Sequence, residues 1–281
     1  MRVTLAQVDS VLGDVDKNLD RAGEVVEQAA DDGSQLVVFP ELNLTGYSIG
    51  QVDADLSMHP DDERLRRLAV RAGPAGVVTG FVEHGHGVHT YNSAGYYQGD
   101  RLVHLHRKLY LPNYMSFEER KHFTPGPALR AFPGVDGTRM AVLICNDAWQ
   151  PQLAFLAAQD GARVLLVSAA SAQSSFPDRY HSRTYWRDIT RFYARMFQLF
   201  VVFVNRVGAE DPLRFWGGSH VVDPWGEIVE EAPEDSEYVL TVDIDLTDVR
   251  RRRRAIPLVK EARLGLISRE VERLLDEGGD L

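Results

Sequence analysis

A single cysteine in 281 residues stands where a thiol could become a nucleophile. Cys145 follows the apolar run Met140-Ala-Val-Leu-Ile144 and precedes Asn-Asp-Ala-Trp149-Gln-Pro151, so a strand delivers the sulfur to a turn from which a helix starts. Backbone N–H groups and the positive end of a helix dipole favour the thiolate, the reactive form, and the expectation is a lowered thiol pKa. A lone cysteine after four apolar residues is also the pattern of a small buried hydrophobe. Two further segments share the character of this one. Leu36-Val-Val-Phe-Pro-Glu41 ends an apolar strand on a proline and presents a carboxylate, whose desolvation would raise its pKa toward that of a general base. His104-Leu-His-Arg-Lys108-Leu-Tyr-Leu-Pro112 places a cation where another strand runs out; an ammonium there would lower a nearby thiol's pKa and hold an oxyanion during acyl transfer. Taken singly, Glu41 reads first as an exposed Glu capping a loop and Lys108 first as a surface lysine. Their common position matters, because ligand sites in α/β sheets form at strand ends.

The elements that must position these residues alternate along the chain. Apolar, β-branched stretches predict strands over 2–8, 35–39, 76–83, 89–98, 101–106, 139–144, 163–168, 200–205, 217–223, 228–231 and 238–243. Amphipathic spacing predicts helices over 16–31, 61–72, 151–159 and 181–198, with a short final one over 268–276. Strand and helix in repetition indicate an α/β protein. Tight-turn sequences at Tyr97-Gln98-Gly99-Asp100 and Pro224-Trp225-Gly226-Glu227 join antiparallel neighbours, so the sheets are mixed. Two sheets packed face to face, with helices outside, accommodate about ten strands. There is no internal repeat. Residues 1–246 read as one domain and 247–281 as a C-terminal tail, which carries the run Arg250 to Arg254 and would pack on a partner subunit or fray.

In this order along the chain, Phe39-Pro-Glu41, Arg107-Lys108-Leu-Tyr-Leu-Pro112 and Ile144-Cys145-Asn-Asp147 resemble the Glu-Lys-Cys motifs of the nitrilase (carbon-nitrogen hydrolase) superfamily. The resemblance extends over nearly the whole chain. Glu119, in Phe117-Glu-Glu119-Arg-Lys-His-Phe123, falls on the family's second glutamate, which orients the lysine. Phe203-Val-Asn205-Arg-Val-Gly208 and Trp216-Gly-Gly-Ser219 resemble later landmarks, and with Cys145-Asn-Asp-Ala-Trp149 they are similar to the amidase branch seen in glutamine-dependent NAD synthetases. The resemblance implies a four-layer α-β-β-α sandwich with two mixed β-sheets, associated as a homodimer or higher homo-oligomer. It implies a catalytic Cys145, Glu41 and Lys108 supported by Glu119, hydrolysing a non-peptide C–N bond with no metal or organic cofactor. Asn146 and Ala148-Trp149 depart from the family's usual residues beside the nucleophile, and Cys-Asn-Asp points toward amides rather than nitriles. The oxyanion and substrate contacts expected are Asn146, beside the nucleophile, with Tyr114 and Ser171, on pocket loops spanning 113–116 and 170–180.

Composition bounds the alternatives. Hydrophobic residues at 44% and charged residues at 26% are ordinary for a globular chain, and one cysteine excludes an intrachain disulfide framework. The start reads as a first strand rather than a signal peptide, and no apolar run approaches the ~20 residues of a membrane-spanning helix. A cytoplasmic setting without membrane association is expected. A net charge of -10 argues against nucleic-acid binding, which needs clustered cations; Arg250 to Arg254 reads as a solvated face or as ion pairs. Glu83-His84-Gly-His86-Gly-Val-His89, with His104 and His106, could hold zinc, but a polar hairpin turn explains the first cluster. A third reading makes the chain a glutamine-hydrolysing or regulatory partner feeding ammonia to a separate synthetase. With no Ser-Gly-Gly-type pyrophosphatase loop before Leu281, it is not expected to be a full synthetase.

Overall fold

The computed structural model describes residues 1–114, 117–174 and 181–279. In chain order the elements are β1 (Arg2–Gln7), α1 (Val15–Asp31), β2 (Leu36–Val38), α2 (Glu63–Arg71), β3 (Gly76–His84), β4 (Thr90–Gln98), β5 (Arg101–Arg107), β6 (Phe132–Pro133), β7 (Arg139–Ile144), α3 (Pro151–Gln159), β8 (Val164–Ala169), α4 (Ser182–Phe197), β9 (Phe200–Asn205), β10 (Val207–Glu210), β11 (Leu213–Trp216), β12 (His220–Val222), β13 (Ile228–Glu231), β14 (Tyr238–Asp243), α5 (Thr247–Ala255) and α6 (Leu264–Asp276). Each predicted strand and helix has a counterpart here. The additions among the described residues are β6, the β10–β11 hairpin and α5.

Two six-stranded mixed sheets form, ordered β14-β1-β2-β3-β4-β5 and β13-β12-β9-β8-β7-β6. In each, a parallel centre (β1-β2-β3, β9-β8-β7) is flanked by antiparallel strands. Side chains alternate across a strand, and the burial follows that period of two. Leu36, Val38, Val142, Ile144, Leu166 and Val202 meet in the core between the sheets. Their neighbours turn outward. Val37 and Phe39 pack under α1 and α2 with Val26, Leu65 and Leu68, while Leu143, Leu165 and Val167 pack under α3 and α4 with Leu153, Trp186 and Tyr193. Both faces of both sheets are therefore covered, which is why these strands read as unbroken apolar runs. The result is the expected α-β-β-α sandwich. Asp14 and Asp62 cap α1 and α2 by accepting from the N–H groups of Lys17 and Arg64, as short acidic caps should.

The histidine cluster of 84–89 sits on the turn between β3 and β4, as the hairpin reading requires. His104 stacks on Phe132 at 4.1 Å, whereas His106 donates from Nε2 to the Asp147 carboxylate at 2.9 Å, so the two imidazoles of β5 have separate partners. Among the described residues, no group of three or more His, Cys, Asp or Glu side chains is placed to hold a metal ion, and no helix is long and apolar enough to cross a membrane. The arginine run lies on α5. Arg253 is half-buried and donates to the carbonyls of Gln198 at 3.2 Å and Ala162 at 2.8 Å, near the C-terminal ends of α4 and α3, where a cation is favoured by the helix dipole.

Candidate active site

Three strand ends meet over the edge of the core. Lys108 directly follows β5, Cys145 directly follows β7, and Glu41 lies three residues beyond β2. Glu41 and Lys108 thus come from one sheet and Cys145 from the other. The turn bearing Glu41 crosses β3 at Gly80, where a Cβ would stand 2.4 Å from the Leu42 nitrogen and 2.8 Å from the Pro40 oxygen; only glycine permits that approach. Asn43 fixes the turn by accepting from the Gly80 N–H at 2.7 Å and the Thr79 hydroxyl at 3.0 Å.

Glu41, Lys108 and Glu119 are all buried and joined through one ammonium. Lys108 Nζ donates to Glu41 Oε1 at 2.6 Å and to Glu119 Oε1 at 2.6 Å. Glu41 has two further donors, the Asn92 amide at 2.8 Å on Oε1 and the Ala170 N–H at 2.8 Å on Oε2. Tyr47 donates its hydroxyl to Glu119 Oε1 at 2.6 Å, while Glu119 Oε2 is buried without a partner among the described residues. The surface-lysine and exposed-glutamate readings are excluded, since Lys108 is 0% and Glu41 1% exposed.

Cys145 opens a 3-10 turn, Cys145–Trp149, with a positive φ of 44°, a conformation that non-glycine residues seldom adopt. The charges of Glu41, Lys108 and Glu119 all act on the thiol, and the Ala170 N–H favours its anion. The balance contradicts the expected lowering of its pKa. Burial, reinforced by the Glu41 and Glu119 charges, pushes the thiol well up against the opposing pull of Lys108. The α-helix begins only at Pro151, and a 3-10 turn that Cys145 itself opens lies between strand and helix. Lys108 remains charged: burial works against its ammonium, but Glu119 and Glu41 overcome that and hold its pKa above the ordinary range. Glu119 is the group poised to titrate. Burial and the Glu41 charge raise its carboxyl to about 7 in spite of Lys108.

Asp147, two residues past the thiol, ties the strand ends together. Its Oδ1 accepts from the N–H groups of Leu109 and Tyr110, both at 2.9 Å. Its Oδ2 takes the Ile144 N–H at 3.1 Å and faces His106 Nε2 at 2.9 Å. The turn carrying the ammonium is in this way fastened to the turn carrying the thiol. Tyr193 adds an anchor from α4, donating to the Ala148 carbonyl at 2.7 Å. Behind Tyr47, the backbone N–H groups of Tyr47 and Ser48 donate to the buried Glu210 at 2.7–3.1 Å, which pairs with buried Arg206.

A cavity of about 350 Å³ opens over Cys145, lined also by Tyr47, Tyr114, Phe117, Trp149 and Trp186. Asn146, Tyr114 and Ser171 all line it. The Asn146 amide accepts from the Tyr114 hydroxyl at 3.0 Å and donates to the Tyr110 carbonyl at 3.1 Å. The Ser171 hydroxyl accepts the indole N–H groups of Trp186 at 2.8 Å and Trp216 at 3.3 Å. Of the two pocket loops expected from the sequence, 115–116 and 175–180 lie outside the described residues. Sequence reasoning passed over Tyr47, Asn92 and Asp147. A buried-strand position occupied by Asn, and an acid two residues after the thiol, were the signals available for the last two.

Residues 2–254 match the family model described as carbon-nitrogen hydrolase. The chain is 34% identical over 251 residues to a glutamine-dependent NAD(+) synthetase of Thermotoga maritima, across 88% of this chain and 42% of that protein. It is 33% identical over 276 residues to an (R)-stereoselective amidase of a Pseudomonas species, across 97% of this chain and 95% of that one. It thus spans less than half the length of the synthetase relatives and nearly all of the amidase. Among solved structures, a carbon-nitrogen hydrolase from Helicobacter pylori G27 superposes with a TM-score of 0.87 at 25% identity, over 96% of this chain and 98% of that one.

Proposed function

The chain belongs to the carbon-nitrogen hydrolase family, and on that premise we propose that it is an amidase-like enzyme that hydrolyses the C–N bond of a small amide through a thioester on Cys145. The observation that carries this reading is the juxtaposition of a thiol on a positive-φ turn with one ammonium bonded at 2.6 Å to two buried carboxylates. Because the thiol pKa is raised, a standing thiolate is not the resting state, and proton removal must accompany attack. Glu41 takes the Sγ proton as sulfur adds to the amide carbonyl. The Lys108 ammonium and the Asn146 N–H stabilise the resulting oxyanion; donors of this kind are typically worth ~2.7–4 kcal/mol. Glu41 returns the proton to the departing ammonia or amine, leaving the thioester. It then deprotonates a water that cleaves the thioester, yielding the carboxylic acid and the free thiol. Glu119 holds Lys108 in place throughout. These steps need neither a metal nor an organic cofactor.

Cys145→Ala should abolish ammonia release from amides while the circular dichroism and melting curve stay native. Cys145→Ser should be nearly as inactive, since a hydroxyl is far harder to ionise at neutral pH. Retained hydrolysis in the folded alanine variant overturns the scheme. The similarity to the synthetases favours a second reading, in which the chain releases ammonia from glutamine for a separate synthetase; glutamine turnover that rises when a candidate synthetase is added would select it.

We propose further that the chain works in the cytoplasm as a homo-oligomer, with the 247–281 tail contributing to the subunit contact. Supporting this, Leu264, Ile267, Val271, Leu274 and Leu275 are exposed along one face of α6.

A further inference from the structure

The rings around Cys145 form two connected sets. On one side Phe117 meets Tyr47 edge-on at 6.0 Å between centroids and Tyr114 at 5.8 Å. On the other, Trp149 meets Trp186 edge-on at 5.7 Å and stacks with Tyr185 at 5.9 Å. Two polar groups that line the cavity are already bonded: the Asn146 amide lies between Tyr114 and Tyr110, and the Ser171 hydroxyl accepts from two indoles. The neighbouring ions pair with each other, with Glu119 Oε2 left over among the described residues. Lys108 is held by Glu41 and Glu119, Arg206 by Glu210 and Asp9, and Arg183 by Glu234 and Asp235.

A ligand entering this cavity gains by burying flat apolar surface against ring faces and edges. A charged group brought in beside the thiol loses its hydration against walls that offer it no opposite charge among the described residues. We infer that the acyl half of the substrate is uncharged and carries an aromatic group, so that the substrate class is the amide of an aryl-substituted carboxylic acid. The inference rests on the amidase reading and names the substrate of that same site. With the carbonyl carbon at Cys145, the aryl group lies between Trp149 and Phe117, and these two residues set the acyl preference. The leaving nitrogen stays toward Glu41, which must protonate it.

The test compares ammonia release from 3-phenylpropanamide, acetamide and glutamine. Wild-type kcat/KM for 3-phenylpropanamide should exceed that for glutamine at least 100-fold and that for acetamide at least 10-fold, the span that apolar pocket contacts provide. Trp149→Ala and Phe117→Ala should each shrink the preference for 3-phenylpropanamide over acetamide at least 10-fold, chiefly through KM. Equal or greater turnover of glutamine overturns the inference. So does a proportional loss toward both amides in the two variants. Ammonia release that persists in Cys145→Ala, or folded wild-type protein inert to every amide, sinks the thioester reading instead and this inference with it.

Discussion

Around the Cys145 sulfur one ammonium faces two carboxylates, so the charge of the resting site turns on whether Glu119 holds a proton. With Glu119 ionised the cluster is already negative, and a thiolate would add a second uncompensated charge in a buried place. This explains why the thiol is pushed up rather than down, against the sequence expectation. The residue types were legible, but their summed field was not, because it depends on which charges share an ammonium. Glu119 also makes a testable statement about stability. Its folded pKa of about 7 lies above its ordinary value of 4.5, so between those values the folded protein binds a proton that the unfolded chain releases. Stability from this group is full below about pH 4.5 and is lost as pH rises through about 7. At about 1.36 kcal/mol per unit, the component is bounded at about 3 kcal/mol. Urea unfolding followed from pH 5 to pH 8 should show this decline in wild type, with Lys108, Glu41, Tyr47 and Cys145 unchanged as neighbours, and lose it in Glu119→Gln. An identical slope in that variant would remove Glu119 as its source.

At the level of elements, the site is a junction of strand ends, and Asp147 is what fastens it. Its side chain is 0% exposed and serves three backbone N–H groups and His106. Asp147→Ala leaves the buried Ile144 N–H unpaired and takes the acceptor from the half-buried Leu109 and Tyr110 N–H groups; an unpaired buried donor costs ~1–3 kcal/mol. The variant should unfold at lower denaturant, with a loss of about 1–3 kcal/mol, and its kcat should fall as Lys108 and Cys145 drift apart. A variant of wild-type stability and rate would show that the turns hold without it. The strands that deliver Glu41, Lys108 and Cys145 were legible because burial on both faces leaves continuous apolar runs. The β10–β11 hairpin escaped notice because its four-residue strands carry Gly208, Glu210 and Arg214 among the apolar residues. Helix α5 escaped for a related reason: five consecutive arginines hide a periodicity in which Val249 alone among its residues is fully buried.

At the scale of the molecule, the sandwich places the site where the two sheets' strand ends converge, and it leaves α6 with an apolar face toward solvent. Light scattering should therefore report a dimer or higher assembly of the 31.5 kDa chain, and Val271→Asp with Leu274→Asp should shift it toward monomer. A monomer at every concentration would discard the proposed subunit role of the tail. By itself the sequence determined the layers and singled out the four residues that the fold brings together, since periodicity two, apolar runs and three ordered motifs are local properties of the chain. Tertiary structure alone decided the rest. It brought Asn92 to Glu41 across β3, Tyr47 to Glu119, and Asp147 to the turn after Lys108, and it closed aromatic side chains from four separate segments around one thiol. Hydrogen bonds and rings of this kind link residues tens of positions apart, so no local pattern encodes them, and the protonation of the site follows from their geometry.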